Sequence, residues 1–234
     1  DDIIVVKLYG SSVLCVNNED VLEQTTNYPF DENIKFSNLT NKELKLKLRY
    51  PSFVSKITSN GSVYNNNEGY FEISLKAFET INLTYHSEFI KHENKDYVYF
   101  TKGSIVYALN IPHSIELSYI KNYPTYSLKP TSIWNIGIKQ DSNFDISSNQ
   151  LSIKGYVIKN YRILKKTKII RTISLYQKLK KEITGEFYFT PKLIKPNKIK
   201  YGKEINVKLV PYKDTLLRIT AFPIITCCSK DEGE

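Results

Sequence analysis

At 234 residues the chain is long for one small domain and comfortable for two, and it can bury a core without disulfide or metal staples. Hydrophobic residues at 41% and charged residues at 24% describe an ordered globular chain and exclude a disordered one. The net charge of +9 is unevenly placed, because residues 154–203 hold fifteen Lys and Arg against only Glu182 and Glu186. Such a field attracts polyanions, although a solvated basic face is the preferred reading.

No apolar run approaches the ~20 residues of a membrane-spanning helix. Asp1-Asp2-Ile3-Ile4 has neither a basic leader nor a cleavage site and leads directly into a strand, as an excised domain would. Strict alternation then dominates. In Leu44-Lys45-Leu46-Lys47-Leu48-Arg49-Tyr50 the apolar set takes one face and the cations the other, which is the signature of a half-buried strand. Phe71-Glu72-Ile73-Ser74-Leu75 and Ile81-Asn82-Leu83-Thr84-Tyr85 repeat it. Turns are expected at Asn60-Gly61, where positive φ costs little, and at Asn65-Asn66-Asn67-Glu68-Gly69.

Further on, Tyr97-Val98-Tyr99-Phe100, a Lys102-Gly103 turn and Ile105-Val106-Tyr107-Ala108-Leu109 read as a hairpin. A loop-like stretch with Pro112, Pro124 and Pro130 leads to Trp134, the only tryptophan. Strands return at 151–158, 205–209 and 216–222, the last closed by Pro223. Residues 171–183 fit a loose helical stripe or an irregular insertion. The pattern predicts an all-β chain of two consecutive antiparallel, jelly-roll-like β-sandwiches, residues 1–92 and 93–223, with a tail at 224–234.

Chemistry-bearing residues are sparse. His86, His92 and His113 sit in no catalytic motif, and the carboxylates lie singly on presumed exposed faces or loops, where spacing does not pair them across a glycosidic bond. No phosphate loop, dinucleotide fingerprint or zinc-protease motif occurs. Cys15, Cys227 and Cys228 lack zinc-ligand spacing, and the Cys227-Cys228 pair reads as two thiols in a frayed tail. Asn38, Asn60 and Asn82 open Asn-x-Ser/Thr sequons, attributed to the abundance of Asn and Ser.

Seven segments in order resemble the region after the barrel in glycoside hydrolase family 127, the β-L-arabinofuranosidase type. They are Ile4-Val5-Val6-Lys7-Leu8-Tyr9-Gly10-Ser11; Gln24-Thr25-Thr26-Asn27-Tyr28-Pro29-Phe30; Leu48-Arg49-Tyr50-Pro51-Ser52-Phe53; and Asn60-Gly61 followed by Gly69-Tyr70-Phe71-Glu72-Ile73. Gly103-Ser104-Ile105-Val106-Tyr107-Ala108-Leu109, Pro130-Thr131-Ser132-Ile133-Trp134-Asn135 and the run from Leu209-Val210-Pro211-Tyr212 to Ala221-Phe222-Pro223 complete the series. Tyr50, Phe53 and Ser104 depart from the family pattern and mark a diverged member.

The resemblance implies an (α/α)6 catalytic barrel in the parent enzyme, with a cysteine nucleophile beside a zinc held by further cysteines and a glutamate. All of these lie in the barrel, including a vicinal Cys-Cys ahead of the β region. Cys227-Cys228 follows the last matching segment, so no catalytic or metal residue carries over and no cofactor is expected in this chain. The expected partner is the barrel of the same polypeptide, and the expected glycans contain arabinose, of plant or glycoprotein type. Nucleic acid is not expected. Trp134, with Tyr123 and Tyr126, is a candidate for sugar contact or for packing on the barrel, the latter preferred. The implied function is a non-catalytic accessory region. The alternatives are a stand-alone carbohydrate-binding module and a polyanion-binding module acting through residues 154–203.

Overall fold

A computed structural model describes residues 3–120, 123–147, 150–161, 164–172, 181–189, 194–226 and 230–231. These residues are all-β, built from strands and two short 3-10 turns. No helix among them is long and apolar enough to cross a membrane. The chain divides into two compact units, Asp1–Ile90 with Phe100–Val106, and Lys91–Tyr99 with Tyr107–Glu234.

The first unit is a sandwich of a three-stranded and a six-stranded sheet. Strand Leu44–Arg49 is central in the smaller sheet, antiparallel to Tyr70–Leu75 with Leu46 opposite Ile73, and parallel to Ile3–Val6. The alternation read from the sequence is realised: Leu46 and Leu48 are fully buried while Lys45 and Arg49 face water. The larger sheet contributes Ile34, Phe36, Ile57, Leu83 and Tyr85 to the same apolar layer. Burying each such side chain is worth about 1.5–3 kcal/mol, so this shared layer is the main force joining the sheets.

Polar contacts fix the edges of this layer. Asn38 is almost fully buried, and its Nδ2 donates to the carbonyls of Lys42, Leu75 and Lys76 while its Oδ1 accepts from the Thr40 amide and hydroxyl. Every hydrogen-bonding position of the side chain is therefore used, which is what burial of an amide requires. Glu32 accepts from the Ser87 amide and hydroxyl and pairs with Lys102 at 3.2 Å. Partial burial pushes its carboxyl up, but the bonds from Ser87 and the Lys102 charge together bring it below the usual carboxylate range. Tight turns follow the expected chemistry at Asn60-Gly61, with φ of 47° and 83°. A second one at Asn17-Asn18, with φ of 51° and 65°, was not anticipated.

The second unit is built on a mixed sheet whose path runs through Tyr97–Lys102, Phe222–Ile225, Ile136–Lys139, Gln150–Ile158, Lys200–Pro211 and Ile105–Asn110. Its described neighbour pairs are antiparallel except Ile136–Lys139 with Phe222–Ile225 and Lys200–Pro211 with Lys230–Asp231. At Gly155 a Cβ would lie 2.6 Å from both Ile136 Cγ2 and Val207 Cγ2, so only glycine lets the three strands approach.

Four expectations are corrected here. The proline-containing stretch before Trp134 is a hairpin, His113–Ile120 with Tyr123–Pro130. In a two-stranded ribbon each strand has a free edge, so the missing N–H of Pro124 or Pro130 can face outward. Pro223 lies inside strand Phe222–Ile225, opposite Tyr97, and Ile224 and Ile225 are buried beyond it. The pairing with Ile136–Lys139 and the Ile224 amide bond to Asp96 both begin after the proline, which explains its tolerance. The expected strand at 216–222 is reduced to Arg218–Ile219. The stripe at 171–183 includes the ends of a second hairpin, Leu164–Thr172 with Lys181–Phe189, while 173–180 lie outside the described residues.

Leu48→Ala is expected to lower unfolding free energy by about 3 kcal/mol in denaturant titration, whereas Lys45→Ala stays within about 0.5 kcal/mol. Gly155→Ala is expected to cost about 1–3 kcal/mol through overpacking. Because the Glu32 carboxyl is depressed in the folded state, its contribution is complete above the unfolded value and is lost as pH falls through the folded one. Glu32→Gln should therefore narrow the stability gap to wild type at acidic pH, read from thermal melts across pH 2–7.

Candidate functional site

The outward face of the second unit's sheet gathers the polar side chains with the most organised geometry. Strand Gln150–Ile158 lies between Ile136–Lys139 and Lys200–Pro211, with Gly137 and Glu204 both opposite Tyr156. Leu151 and Ile153 point into the core, so Ser152, Lys154 and Tyr156 take the other face. A register shift between Tyr156 and Ile158 then turns Ile158 inward.

On that face Tyr156 donates its hydroxyl to Glu204 Oε2 at 2.6 Å, and Lys154 Nζ sits 3.0 Å from Glu204 Oε1. Lys139 Nζ lies 4.5 Å from the centroid of the Tyr156 ring, and Tyr201 meets that ring edge-on at 5.5 Å. The hydroxyl of Tyr156, then the ammonium of Lys154, hold the Glu204 carboxyl below its ordinary range. Bonding to the same carboxylate pushes Tyr156 and Lys154 up, while interaction with Tyr156 raises Lys139. Lys154 and Glu204 are well exposed, so the ladder orients side chains more than it stabilises the fold.

Two clefts flank the ladder. The first, about 540 Å³, is lined by Glu93, Lys139, Gln140, Asp141, Tyr201 and Thr226, with Ile225 at its base. Glu93 is oriented by Lys91 at 2.8 Å and by Gln140 Nε2 at 3.2 Å, and the Lys91 bond is the main reason its carboxyl is depressed. The second, about 520 Å³, presents Asn143, Asp145, Ser152, Lys154, Asn206 and Lys208. In the first unit a smaller cleft of about 440 Å³ includes Lys47, Tyr64, Tyr70 and Glu72, with Lys47 Nζ 5.4 Å from the Tyr70 ring centroid.

The residues singled out from sequence do not meet. Trp134 is half-buried, tilted against Tyr161 at 5.3 Å and packed on the cluster of Ile158, Ile199 and Ile225. Tyr123 and Tyr126 stand 75% and 66% exposed on strand Tyr123–Pro130 and, three residues apart, face opposite sides of it. Tyr126 also lies roughly 13 Å along the strand from Pro130, at about 3.3 Å per residue. No shared ring platform forms from the three.

The histidines are structural: His86 bonds the Thr58 hydroxyl, His92 stacks on Tyr99 at 4.5 Å, and His113 Nδ1 contacts the Ile111 carbonyl. Cys15 is exposed, while Cys227 and Cys228 lie outside the described residues, as do the side chains of the hairpin in the basic 154–203 stretch. Among the described residues no group of three or more His, Cys, Asp or Glu side chains is placed to hold a metal ion.

Tyr156, Tyr201 and Glu204 were not anticipated. The alternation of Leu151, Ile153 and Val207 with polar neighbours marks the outward face in sequence, but the ladder joins residues 48 apart across a long charged stretch. Tyr156→Phe is expected to raise the Glu204 carboxyl back toward its ordinary range, seen by NMR pH titration, with unfolding free energy changed by less than about 0.5 kcal/mol.

Residues 3–87 match the family model described as the GH127 middle domain of β-L-arabinofuranosidase. No curated protein matches the sequence. Among solved structures, a GH127 β-L-arabinofuranosidase from Geobacillus stearothermophilus T6 superimposes with a TM-score of 0.50 at 15% identity, over 95% of this chain and 34% of that one. A structure described as a GH127 β-arabinofuranosidase gives a TM-score of 0.56 at 17% identity, over 100% of this chain and 36% of that one. One described as a glycoside hydrolase gives 0.50 at 16%, over 95% and 36%. The chain thus spans about a third of the length of these proteins, and at such identity the likeness is one of fold.

Proposed function

We propose, from the match of residues 3–87 to the GH127 middle-domain family model, that the chain is the non-catalytic β region of a glycoside hydrolase of β-L-arabinofuranosidase type. Its role is to pack on an (α/α)6 catalytic barrel and shape the surroundings of that barrel's cleft. The observation that carries the reading is the family match over 3–87, supported by a fold likeness that continues across 95–100% of the chain while covering about a third of each enzyme.

The chemistry of the described side chains is in keeping with this role. Glycosidic hydrolysis commonly uses two carboxyl groups facing each other across an open cleft. Glu93 and Glu204 are instead each tied to a lysine and a neutral hydrogen-bond donor. Trp134 is half-buried against the cluster of Ile158, Tyr161, Ile199 and Ile225.

Exposed apolar residues supply a surface for such packing. Every residue of edge strand Ser12–Val16 is exposed, including Val13, Leu14 and Val16, on the six-stranded sheet of the first unit. The purified chain is expected to be folded by circular dichroism and to release no nitrophenol from aryl arabinofuranosides. Turnover by the chain alone would overturn the accessory reading. So would genomic sequence showing that Asp1 is not preceded by a barrel-sized stretch with helical periodicity.

A further inference from the structure

We infer that the outward face of the second unit's sheet is a binding site for a neutral oligosaccharide, centred on Tyr156 and Tyr201. The inference goes beyond the accessory role, which stands on the first unit, and is independent of any barrel.

Three observations carry it. The first is continuity. Ser152 and Lys154 line one cleft, Lys139 and Tyr201 line the other, and Tyr156 touches both Lys139 and Tyr201 between them. Each volume, about 540 and 520 Å³, falls in the range of about 300–1,000 Å³ usual for small-ligand sites. From Ser152 to Tyr156 the strand rises roughly 13 Å, so a ligand occupying both clefts is an oligomer.

The second is charge balance. Within the two clefts Lys139, Lys154 and Lys208 are matched by Glu93, Asp141 and Asp145, and Glu204 and Lys91 beside the linings add one charge of each sign. A polyanion gains from an excess of cations, which this face lacks, and a polycation from the reverse. A neutral ligand rich in hydroxyl groups uses both, because each hydroxyl donates once and accepts twice. Asn206, Gln140, Asn143 and Ser152 extend the same mixed capacity.

The third is pre-organisation. The Tyr201 ring is held edge-on against Tyr156, whose own hydroxyl is fixed by Glu204, and Glu93 is fixed by Lys91 and Gln140. Side chains already held by neighbours lose little entropy when a ligand arrives. A partly exposed aromatic ring beside oriented carboxylates and amides suits a sugar, whose C–H face is apolar and whose rim is polar.

The test is titration of the full chain with neutral arabino-oligosaccharides and xylo-oligosaccharides of two to six units, and with oligogalacturonates, followed by calorimetry and NMR. Binding is expected for a neutral series, strengthening with length up to at least three units. Tyr201→Ala and Asn206→Ala should each weaken it at least tenfold, Tyr201→Phe should retain it, and Tyr126→Ala, outside both cleft linings, should leave it unchanged. Asn206 is exposed, so its variant separates lost binding from lost folding, which circular dichroism checks in each case. No binding in either neutral series, binding to the acidic series alone, or binding indifferent to both Tyr201→Ala and Asn206→Ala overturns the inference. None of these outcomes touches the family reading of residues 3–87.

Discussion

The first unit depends on one shared apolar layer between two sheets. Leu46 and Leu48 from one side and Ile34, Phe36, Leu83 and Tyr85 from the other are all fully removed from water. A strand offers only alternate positions to such a layer, so a single-residue slip of Leu44–Arg49 would bury Lys45 and Lys47 and expose the leucines. The register opposite Tyr70–Leu75 is thus set by the cost of burying charge, and the turns at either end close around a pairing already decided. Asn38 completes the arrangement, because it satisfies the carbonyls that the end of strand Tyr70–Leu75 leaves beside the core.

The second unit uses the same principle with a different outcome on its outer face. Leu151, Ile153, Val207 and Leu209 bury one side of two long strands. The opposite side is not simply wet, since its charges are arranged as mutual partners around Tyr156. Such pairs contribute little to stability where solvent screens them. Their effect is to hold long side chains in defined positions along a sheet, which is the raw material of a binding surface.

Much of the fold was legible because period-two alternation is a local signal. The strands of the first unit and the Asn60-Gly61 turn follow from residues adjacent in the chain. The misreadings share a cause in tertiary context. Pro124 and Pro130 suggested a loop because proline cannot sit inside a paired ladder, yet a two-stranded ribbon has free edges that admit it. Pro223 looked like a terminator, but the pairing with Ile136–Lys139 and the Ile224 amide bond to Asp96 both begin after it. The candidate site was the least legible part, since Tyr156 and Glu204 meet only through the pairing of Gln150–Ile158 with Lys200–Pro211. Trp134 stood out by rarity, and its half-buried ring meets Tyr161 and the isoleucine cluster, contacts that no local pattern announces.

The closed hydrogen-bond shell of Asn38 has a consequence for how the protein is produced. Asn38 opens an Asn-Leu-Thr sequon, and the nitrogen that an oligosaccharide would occupy is the one donating to Lys42, Leu75 and Lys76. In a eukaryotic secretory host the two events compete on the nascent chain. A molecule that folds first hides the acceptor, whereas one glycosylated first keeps a bulky group where three carbonyls need their donor. The chain would then sort into a folded fraction unmodified at Asn38 and a fraction modified there and retained by quality control, whatever happens at the exposed Asn60 and Asn82.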